Sequence, residues 1–160
     1  MNRIAKFEKV SKEQWMNDVG VEPEYENIKL PLRATKGSAG YDFYATRNFI
    51  IYPGDMIKLA TGIRVKIDEG WVLMIMPKSG LGFKYGLRLN NTIGVIDSDY
   101  YYSDNEGHIF IKMTTYCDRP LDIKAGQGIA QGIFVPYGIT VDDDTDGIRN
   151  GGFGSTETVK

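Results

Sequence analysis

Short segments rich in β-branched and aromatic residues recur along the chain and predict β-strands. They span residues 28–32, 41–45, 56–59, 71–76, 108–114 and 129–135. Segment 71–76 is apolar without a break, which is typical of a strand buried on both faces. Turn residues separate the segments closely, as in Tyr52-Pro53-Gly54-Asp55. Many short strands at this spacing, with 19 glycines, favour an all-β sandwich, barrel or jelly roll over alternating strands and helices.

The two ends of the chain have different patterns. Ser11 and Gln14 have the spacing of a capping box, which predicts a short helix through about Asp18 that stops at Gly20. At the other end, an acidic, turn-rich stretch and a glycine-rich stretch predict a mobile arm over residues 142–160. We therefore expect one domain over residues 1–160, with an N-terminal extension, 1–26, that carries the helix.

The residue inventory limits the chemistry of any site. Cys117 is the only cysteine, which excludes an internal disulfide framework and a multi-cysteine zinc site. His108 is the only histidine, which removes most routes to a Ser-His-Asp triad or a histidine-rich metal site. Catalysis would have to rest on carboxylates, hydroxyls, amides, backbone groups and an ion carried by the substrate.

Charge and hydropathy limit the partners. The net charge of −2 lacks the basic surplus typical of nucleic-acid binding. No apolar run approaches the roughly 20 residues that span a membrane. The first residues lack the apolar stretch of a secretory signal, so a cytoplasmic protein is expected.

Five glycine-rich segments combine backbone freedom with polar side chains, and each alone is ambiguous. The first, around Asp42, is more typical of a loop that enters a strand. The second, Pro77-Lys78-Ser79-Gly80-Leu81-Gly82, fits an anion-binding turn and an ordinary turn about equally. It lacks the residue order of a Walker A loop.

The other three segments leave similar alternatives. Residues 90–100 form an apolar stretch with a glycine at its middle, as in a hairpin, and end in Asp97, Ser98, Asp99 and Tyr100. These residues indicate either a turn or a carboxylate base beside a stacking ring. Gln131 is more typical of a core amide than of a ligand contact. Residues 149–156 fit either a disordered tail or a lid that folds over a nucleotide.

Taken together, in this order and spacing, the segments resemble the five motifs of homotrimeric dUTP pyrophosphatases (dUTPases). The matching residues are Ser38-Ala39-Gly40-Tyr41-Asp42, Pro77-Lys78-Ser79-Gly80-Leu81-Gly82, Gly94-Val95-Ile96-Asp97-Ser98-Asp99-Tyr100, Ile129-Ala130-Gln131 and Gly151-Gly152-Phe153-Gly154-Ser155-Thr156. The resemblance implies a jelly-roll-like subunit (the β-clip fold), a homotrimer with active sites at subunit interfaces, and hydrolysis of dUTP to dUMP and pyrophosphate. Such a reaction removes dUTP from the nucleotide pool and supplies a precursor of dTMP.

The resemblance also implies the reaction chemistry. Asp97 would be the general base that deprotonates a water attacking the α-phosphorus. Lys78, Ser79 and Gly80 would hold the phosphate chain and Gln131 the α-phosphate region, while Asp42 and Asp99 would support the site. Mg²⁺ would be bound by the substrate phosphates and waters rather than by protein ligands.

Substrate selectivity follows from the same resemblance. Asn91 and the backbone around Ile93 and Gly94 would pair with the uracil edge. Tyr100 would lie against the deoxyribose, where a 2′-hydroxyl would not fit. The arm would close over the nucleotide, with Phe153 stacking on the base. Its closure would bring Arg149, Ser155 and Thr156 to the γ-phosphate, and Gly154 would also contact the substrate.

The chain departs from the family pattern in four places. Lys78 replaces a common arginine, and Glu157 replaces a common glycine. The connection 101–106 is longer than usual, and Arg149 lies one residue closer to the double glycine. The long connection and the N-terminal extension are similar to those of some phage or prophage dUTPases of Gram-positive hosts.

Three other functions remain as alternatives. A dUTPase-fold regulatory protein would bind a repressor or other partner through loop 101–106. A dCTP deaminase would share the fold, although its arginine-serine-serine phosphate motif is absent from the sequence. A jelly-roll structural protein without a ligand would require all five motifs to be coincidental.

Overall fold

The computed structural model describes residues 2–20 and 23–152, and short strands predominate in them. The strands are β1 (Ala5–Lys9), β2 (Leu32–Arg33), β3 (Tyr41–Tyr44), β4 (Phe49–Ile51), β5 (Met56–Ala60), β6 (Ile63–Ile67), β7 (Trp71–Pro77), β8 (Arg88–Leu89), β9 (Gly94–Ile96), β10 (Phe110–Thr114), β11 (Leu121–Ile123) and β12 (Gly128–Pro136). The helices are α1 (Lys12–Val19), α2 (Pro23–Glu26), α3 (Ser79–Tyr85) and a 3₁₀ helix (Ser98–Tyr102). The prediction of an all-β chain with a short N-terminal helix is confirmed.

The strand pairs of the described residues are all antiparallel, and they form four sheets. The largest sheet has the order β2-β3-β12-β7-β9, and a second has the order β5-β10-β8. Two-stranded pairs, β1-β6 and β11-β4, complete the set. Most partners are far apart in sequence, so the fold depends on non-local pairing.

Strand β7 shows how the core is filled. Its Leu73 and Ile75 are buried against the interior, while Val72, Met74 and Met76 on the opposite face are half-buried. The prediction that segment 71–76 is buried on both faces is therefore wrong for this chain. Its edges are covered by β12 and β9, so its backbone bonds are satisfied although one face is not fully covered.

The N-terminal extension packs on the body of the fold. Ser11 caps α1 by accepting a hydrogen bond from the Gln14 N–H at 3.0 Å, and the helix ends at Gly20 in the left-handed conformation, as predicted. The reciprocal half of the capping box is absent, because the Gln14 side chain binds Asp18 and the Ser11 N–H donates to Glu106. Trp15 buries one face of the helix. Strand β1, which the sequence patterns did not indicate, pairs along its whole length with β6.

Three local expectations are corrected. Segment 28–32 forms a strand only at Leu32–Arg33. The second glycine-rich segment continues into α3 instead of closing as a simple turn. Segment 90–100 is not a two-stranded hairpin, because β8 pairs with β10 and β9 pairs with β7.

Among the described residues, no helix has the length and apolar character needed to cross a membrane.

Candidate active site

The chain crosses between two sheets after β8, and this crossing borders a cavity of about 430 Å³. Its apolar wall includes Ile75 of β7, Val95 of β9 and Ile111 of β10. The remaining lining residues are Leu89, Asn90, Asn91, Ile93, Gly94, Ile96, Asp97, Tyr100, Phe110, Lys112, Arg149 and Gly152. The cavity thus has an apolar body and polar groups concentrated on one loop and at the rim.

The loop that follows β8 is held in a tight backbone conformation. The Ile93 N–H donates to the Asn91 carbonyl at 2.7 Å, and the Thr92 N–H donates to the Leu89 carbonyl at 3.0 Å. Thr92 has φ 66°, a left-handed conformation that is uncommon for a β-branched residue. The loop brings Asn91, Ile93 and Gly94 to one wall of the cavity, where the sequence predicted a base-reading edge.

Two carboxylates at the rim bind one guanidinium. Nη2 of Arg149 lies 2.6 Å from Oδ2 of Asp97, and Nε lies 2.8 Å from Oδ1 of Asp99. The carboxylates stand at the start of the 3₁₀ helix, so the planar fork of the guanidinium reaches both. The Asp97 side chain remains 46% exposed. The sequence predicted Arg149 at the γ-phosphate, whereas here it neutralises the predicted base.

Tyr100 forms a fixed wall of the cavity. Its hydroxyl donates to the His108 carbonyl at 2.7 Å and accepts from Nδ2 of Asn105 at 2.9 Å. Burial raises the pKa of this phenol, so it remains a donor at neutral pH. Gly152 packs on the ring, where an added Cβ would lie 2.6 Å from Cε2.

The predicted phosphate-binding residues form a second cluster. Lys78 pairs with Asp42, and the Gln131 amide donates to the Pro77 carbonyl at 3.3 Å. Gln131 is the register partner of Asp42, which explains why the first and fourth motifs meet. Ser79 and Gly80 are exposed at the start of α3. Within the described residues, none of these five lines the cavity beside Asp97.

The structure therefore groups the predicted site residues into two clusters. The cavity cluster contains Asn91, Ile93, Gly94, Asp97, Tyr100 and Arg149, with Asp99 beside it. The sheet cluster contains Asp42, Lys78, Ser79, Gly80 and Gln131. The predicted roles of Phe153, Gly154, Ser155 and Thr156, and the departure at Glu157, lie outside the described residues.

His108 was missed as a contributor to the site. Its ring is fully buried, with Nδ1 2.5 Å from Oδ2 of Asp18, and Nε2 accepts the Gly62 N–H at 2.9 Å. An imidazole that accepts at Nε2 is neutral, so Nδ1 donates to Asp18. The pKa of His108 is lower than usual, because the effect of burial outweighs the opposing effect of the nearby Asp18 carboxylate. A lone histidine is visible in a sequence, but its partner 90 residues away is not.

A protein-family model described as dUTPase matches residues 26–157. The chain belongs to the dUTPase family. The match covers all five motifs and leaves most of the N-terminal extension outside it.

Curated relatives agree with membership of the dUTPase family. A deoxyuridine 5′-triphosphate nucleotidohydrolase of Lactococcus lactis is 39% identical over 138 residues, which cover 83% of this chain and 92% of that protein. A protein of the same name from Chromobacterium violaceum is 38% identical over 135 residues, 79% of this chain and 87% of that protein.

Solved dUTPase structures have the same fold. The crystal structure of dUTPase from Streptococcus mutans is 35% identical, covers 84% of this chain and 97% of its own, and has a TM-score of 0.68. A Staphylococcus bacteriophage 80alpha dUTPase is 21% identical over 98% of this chain and 99% of its own, with a TM-score of 0.68. At that identity it shows the fold alone. The predicted jelly-roll-like dUTPase fold is confirmed.

Proposed function

We propose that the chain is a dUTP diphosphatase that hydrolyses dUTP to dUMP and pyrophosphate. The observation that carries the proposal is Asp97, half exposed at the rim of a cavity lined by Asn91, Ile93, Gly94 and Tyr100. The cavity volume of about 430 Å³ is in the range of small-molecule sites. An apolar body with polar groups along one wall suits a flat base with a hydrogen-bonding edge.

Base selectivity would arise at the loop after β8. The Asn91 side chain and the backbone near Ile93 and Gly94 would pair with the uracil edge. Cytosine has a different order of donors and acceptors, and each group left unpaired on burial costs about 1–3 kcal/mol. The ring of Tyr100 would lie against the deoxyribose, where a 2′-hydroxyl would collide with it.

Asp97 would act on the attacking water. Its carboxylate would take the proton as the water oxygen bonds to the α-phosphorus, and the bond from that phosphorus to the bridging oxygen would break, releasing pyrophosphate. A positioned base of this kind contributes about 10²–10⁴-fold. Arg149 would leave Asp97 for the γ-phosphate as substrate enters, an exchange of one anionic partner for another that frees the base.

A homotrimer with composite sites would bring the two clusters together. In the described part of one chain, the sheet cluster with Lys78 and Gln131 does not border the cavity that holds Asp97. A neighbouring subunit could supply its own sheet cluster to hold the phosphates. The arm residues Phe153, Gly154, Ser155 and Thr156 would then close over the nucleotide, excluding bulk water.

Magnesium would arrive with the triphosphate. The carboxylates of Asp42 and Asp97 already bind cationic side chains, and the described residues contain no group of three or more His, Cys, Asp or Glu that could hold a metal. Mg²⁺ keeps several waters and commonly binds through substrate phosphates, whose charge it neutralises and whose geometry it fixes. The residues present therefore fit an ion carried by the substrate.

Pyrophosphate release from a panel of nucleotides tests the proposal. The purified protein should release pyrophosphate from dUTP with Mg²⁺, and much less from dTTP, dCTP and UTP or after chelation of the metal. Light scattering on the same sample should give three times the mass of one chain. Inactivity toward dUTP with Mg²⁺ would refute the proposal, and ammonia released from dCTP would support a deaminase instead.

The regulatory alternative and the cytoplasmic location stay predictions. In loop 101–106, the side chains of Tyr101 and Glu106 bind partners within the chain, whereas Tyr102 is 71% exposed. A partner that uses this loop would therefore have to recognise its exposed tip.

A further inference from the structure

The hydroxyl of Tyr100 is held from two sides by a single short segment, residues 105–108. Its proton goes to the His108 carbonyl at 2.7 Å, and its lone pair accepts from Nδ2 of Asn105 at 2.9 Å. One bond constrains the hydroxyl as a donor and the other as an acceptor. The ring that walls the cavity is thereby fixed at its hydroxyl end.

Asn105 is itself fixed in the orientation that this contact needs. Its Oδ1 accepts the Gly107 N–H at 3.1 Å, and its backbone carbonyl accepts the His108 N–H at 3.1 Å. Gly107 has φ 71°, and an added Cβ there would lie 2.6 Å from the Tyr100 carbonyl oxygen. Only glycine fits this close return of the chain. The turn thus holds the amide toward Tyr100.

The turn is anchored to the N-terminal extension. The Glu106 carboxylate accepts the Ser11 N–H at 2.8 Å and the Ser11 hydroxyl at 2.6 Å. His108 is bound by Asp18 from the end of α1, at 2.5 Å. Glu106 follows Asn105 in the sequence, and the His108 carbonyl itself accepts the Tyr100 hydroxyl. Both contacts therefore join the extension to the segment that holds Tyr100. A continuous set of contacts thus runs from the extension to the wall of the cavity.

We propose that Asn105 is a positioning residue, which holds Tyr100 as the sugar-facing wall of the cavity and which the extension holds in turn through Glu106. The inference rests on the proposed function, because the wall matters when a nucleotide sugar lies against it. A fixed ring leaves no space for a 2′-hydroxyl, whereas a ring free to tilt tolerates one. Asn105 therefore controls discrimination between deoxyribose and ribose.

The rival explanation is that Asn105 only stabilises its loop. The two explanations differ in a measurable way, because loss of loop stability reduces the amount of folded enzyme for every nucleotide alike. Loss of positioning changes the ratio between dUTP and UTP. The ratio of kcat/KM for the two nucleotides is therefore the decisive readout.

The test compares Asn105→Ala with wild type and with Asp104→Ala, an exposed neighbour in the same loop. For Asn105→Ala, the dUTP-to-UTP ratio of kcat/KM should fall about 3- to 10-fold, the value of one hydrogen bond. The change should reside mainly in KM, and Asp104→Ala should keep the wild-type ratio. In a Tyr100→Phe background, which lacks the hydroxyl that Asn105 binds, Asn105→Ala should have little further effect on the ratio.

Three results would overturn the inference: an unchanged ratio, an equal loss for both nucleotides, or an undiminished effect in the Tyr100→Phe background. If Asn105→Ala does not fold, Asn105→Asp gives the same test, because it keeps the size and the acceptor for Gly107 but removes the donor. The ratio of Kd values for dUMP and UMP measures positioning without turnover. An inactive wild type would thus refute the proposed hydrolysis while the binding ratio still decides the role of Asn105.

Discussion

Two polar, turn-rich segments border the candidate site, and they are attached to the fold in different ways. In loop 101–106, the side chains of Tyr101 and Glu106 bind the distant residues Glu8 and Ser11, and the Asn105 side chain binds its neighbours Tyr100 and Gly107. In the described part of the arm, 142–152, the hydrogen bonds to the body come from Arg149 and from the Asn150 carbonyl. Residues 142–148 are exposed.

The comparison shows that composition does not decide whether a segment belongs to the fold. Both segments contain aspartate and asparagine. The side chains of Tyr101, Asn105 and Glu106 in the loop have partners within the fold, whereas in the described part of the arm the hydrogen bonds to the body of the fold come from one guanidinium and one carbonyl. Substitution of Glu106, which binds the N-terminal extension, should therefore change stability first, and substitution of Arg149 should change activity first.

The largest effect is expected where the arm meets the cavity, at Asp97. Asp97→Asn should retain dUTP binding and lose about 10²–10⁴-fold in kcat, because an amide cannot accept the proton of the attacking water. Pyrophosphate release and dUTP binding are the measurements. Asp99→Asn, the neighbouring carboxylate, is the matched control with a smaller expected loss. Full turnover by Asp97→Asn would refute the base assignment.

Loss of the contact between Arg149 and the two carboxylates should reduce activity and not stability. Arg149→Ala should lower kcat/KM for dUTP by about 10- to 100-fold, the value of a charged hydrogen bond. Its free energy of unfolding should stay within about 0.5 kcal/mol of wild type, since residues 142–148 of the arm are exposed. Asp144→Ala, in the exposed arm, is the control. A larger change in unfolding than in activity would reverse the proposed distinction.

Loss of the contact between Glu106 and Ser11 should reduce stability and not activity. Glu106→Gln should lower the free energy of unfolding by about 1–3 kcal/mol, because it weakens two charge-assisted bonds to Ser11, and kcat for dUTP should change little. Burial alone would raise the pKa of Glu106. The hydrogen bonds from Ser11 and the charge of Arg64 outweigh burial, so the pKa lies below its usual value. Its stabilisation is thus present above the unfolded pKa and lost on acidification. In urea unfolding, the difference in free energy of unfolding between Glu106→Gln and wild type should become smaller in acid. A difference that does not change with pH would contradict the charged contact.

The buried histidine gives the loop region a second pH dependence. Because the pKa of His108 in the folded chain is below its usual 6.5, the unfolded chain binds the proton more readily. The free energy of unfolding should therefore fall as pH drops below about 6.5, by up to about 1.4 kcal/mol per pH unit until the folded pKa is reached. His108→Gln should reduce this slope. An identical slope in the variant would assign the dependence to other groups.

The smallest effect is expected at the exposed tip of the loop. Tyr102 is 71% exposed and packs edge-on against the ring of Tyr101. Tyr102→Ala should change the free energy of unfolding by about 0.5 kcal/mol or less, and should leave dUTP turnover at the wild-type level. A large loss of stability would show that the tip, and not only the base of the loop, belongs to the fold.

Local sequence signals located part of this arrangement. Asn91, Asp97 and Tyr100 belong to one continuous segment, so their proximity follows from the chain itself, and the cap at Ser11 needs only its neighbours. Strand β1 was missed because its pattern is weak and its partner β6 lies about sixty residues on. The same is true of the contact between Asp18 and His108.

Non-local effects also caused the errors. An unbroken apolar run cannot reveal that only one face of β7 meets the core of this chain. The sequence also could not show that Arg149 binds Asp97 and Asp99, because a guanidinium suits a carboxylate pair as well as a phosphate.

Hydrolysis of dUTP in water labelled with oxygen-18 tests the central claim most directly, namely that Asp97 activates a water against the α-phosphorus. The account predicts that the label enters the phosphate of dUMP and is absent from pyrophosphate, and that Asp97→Asn removes most of this incorporation. Label in pyrophosphate, or undiminished labelling of dUMP by the variant, would contradict it.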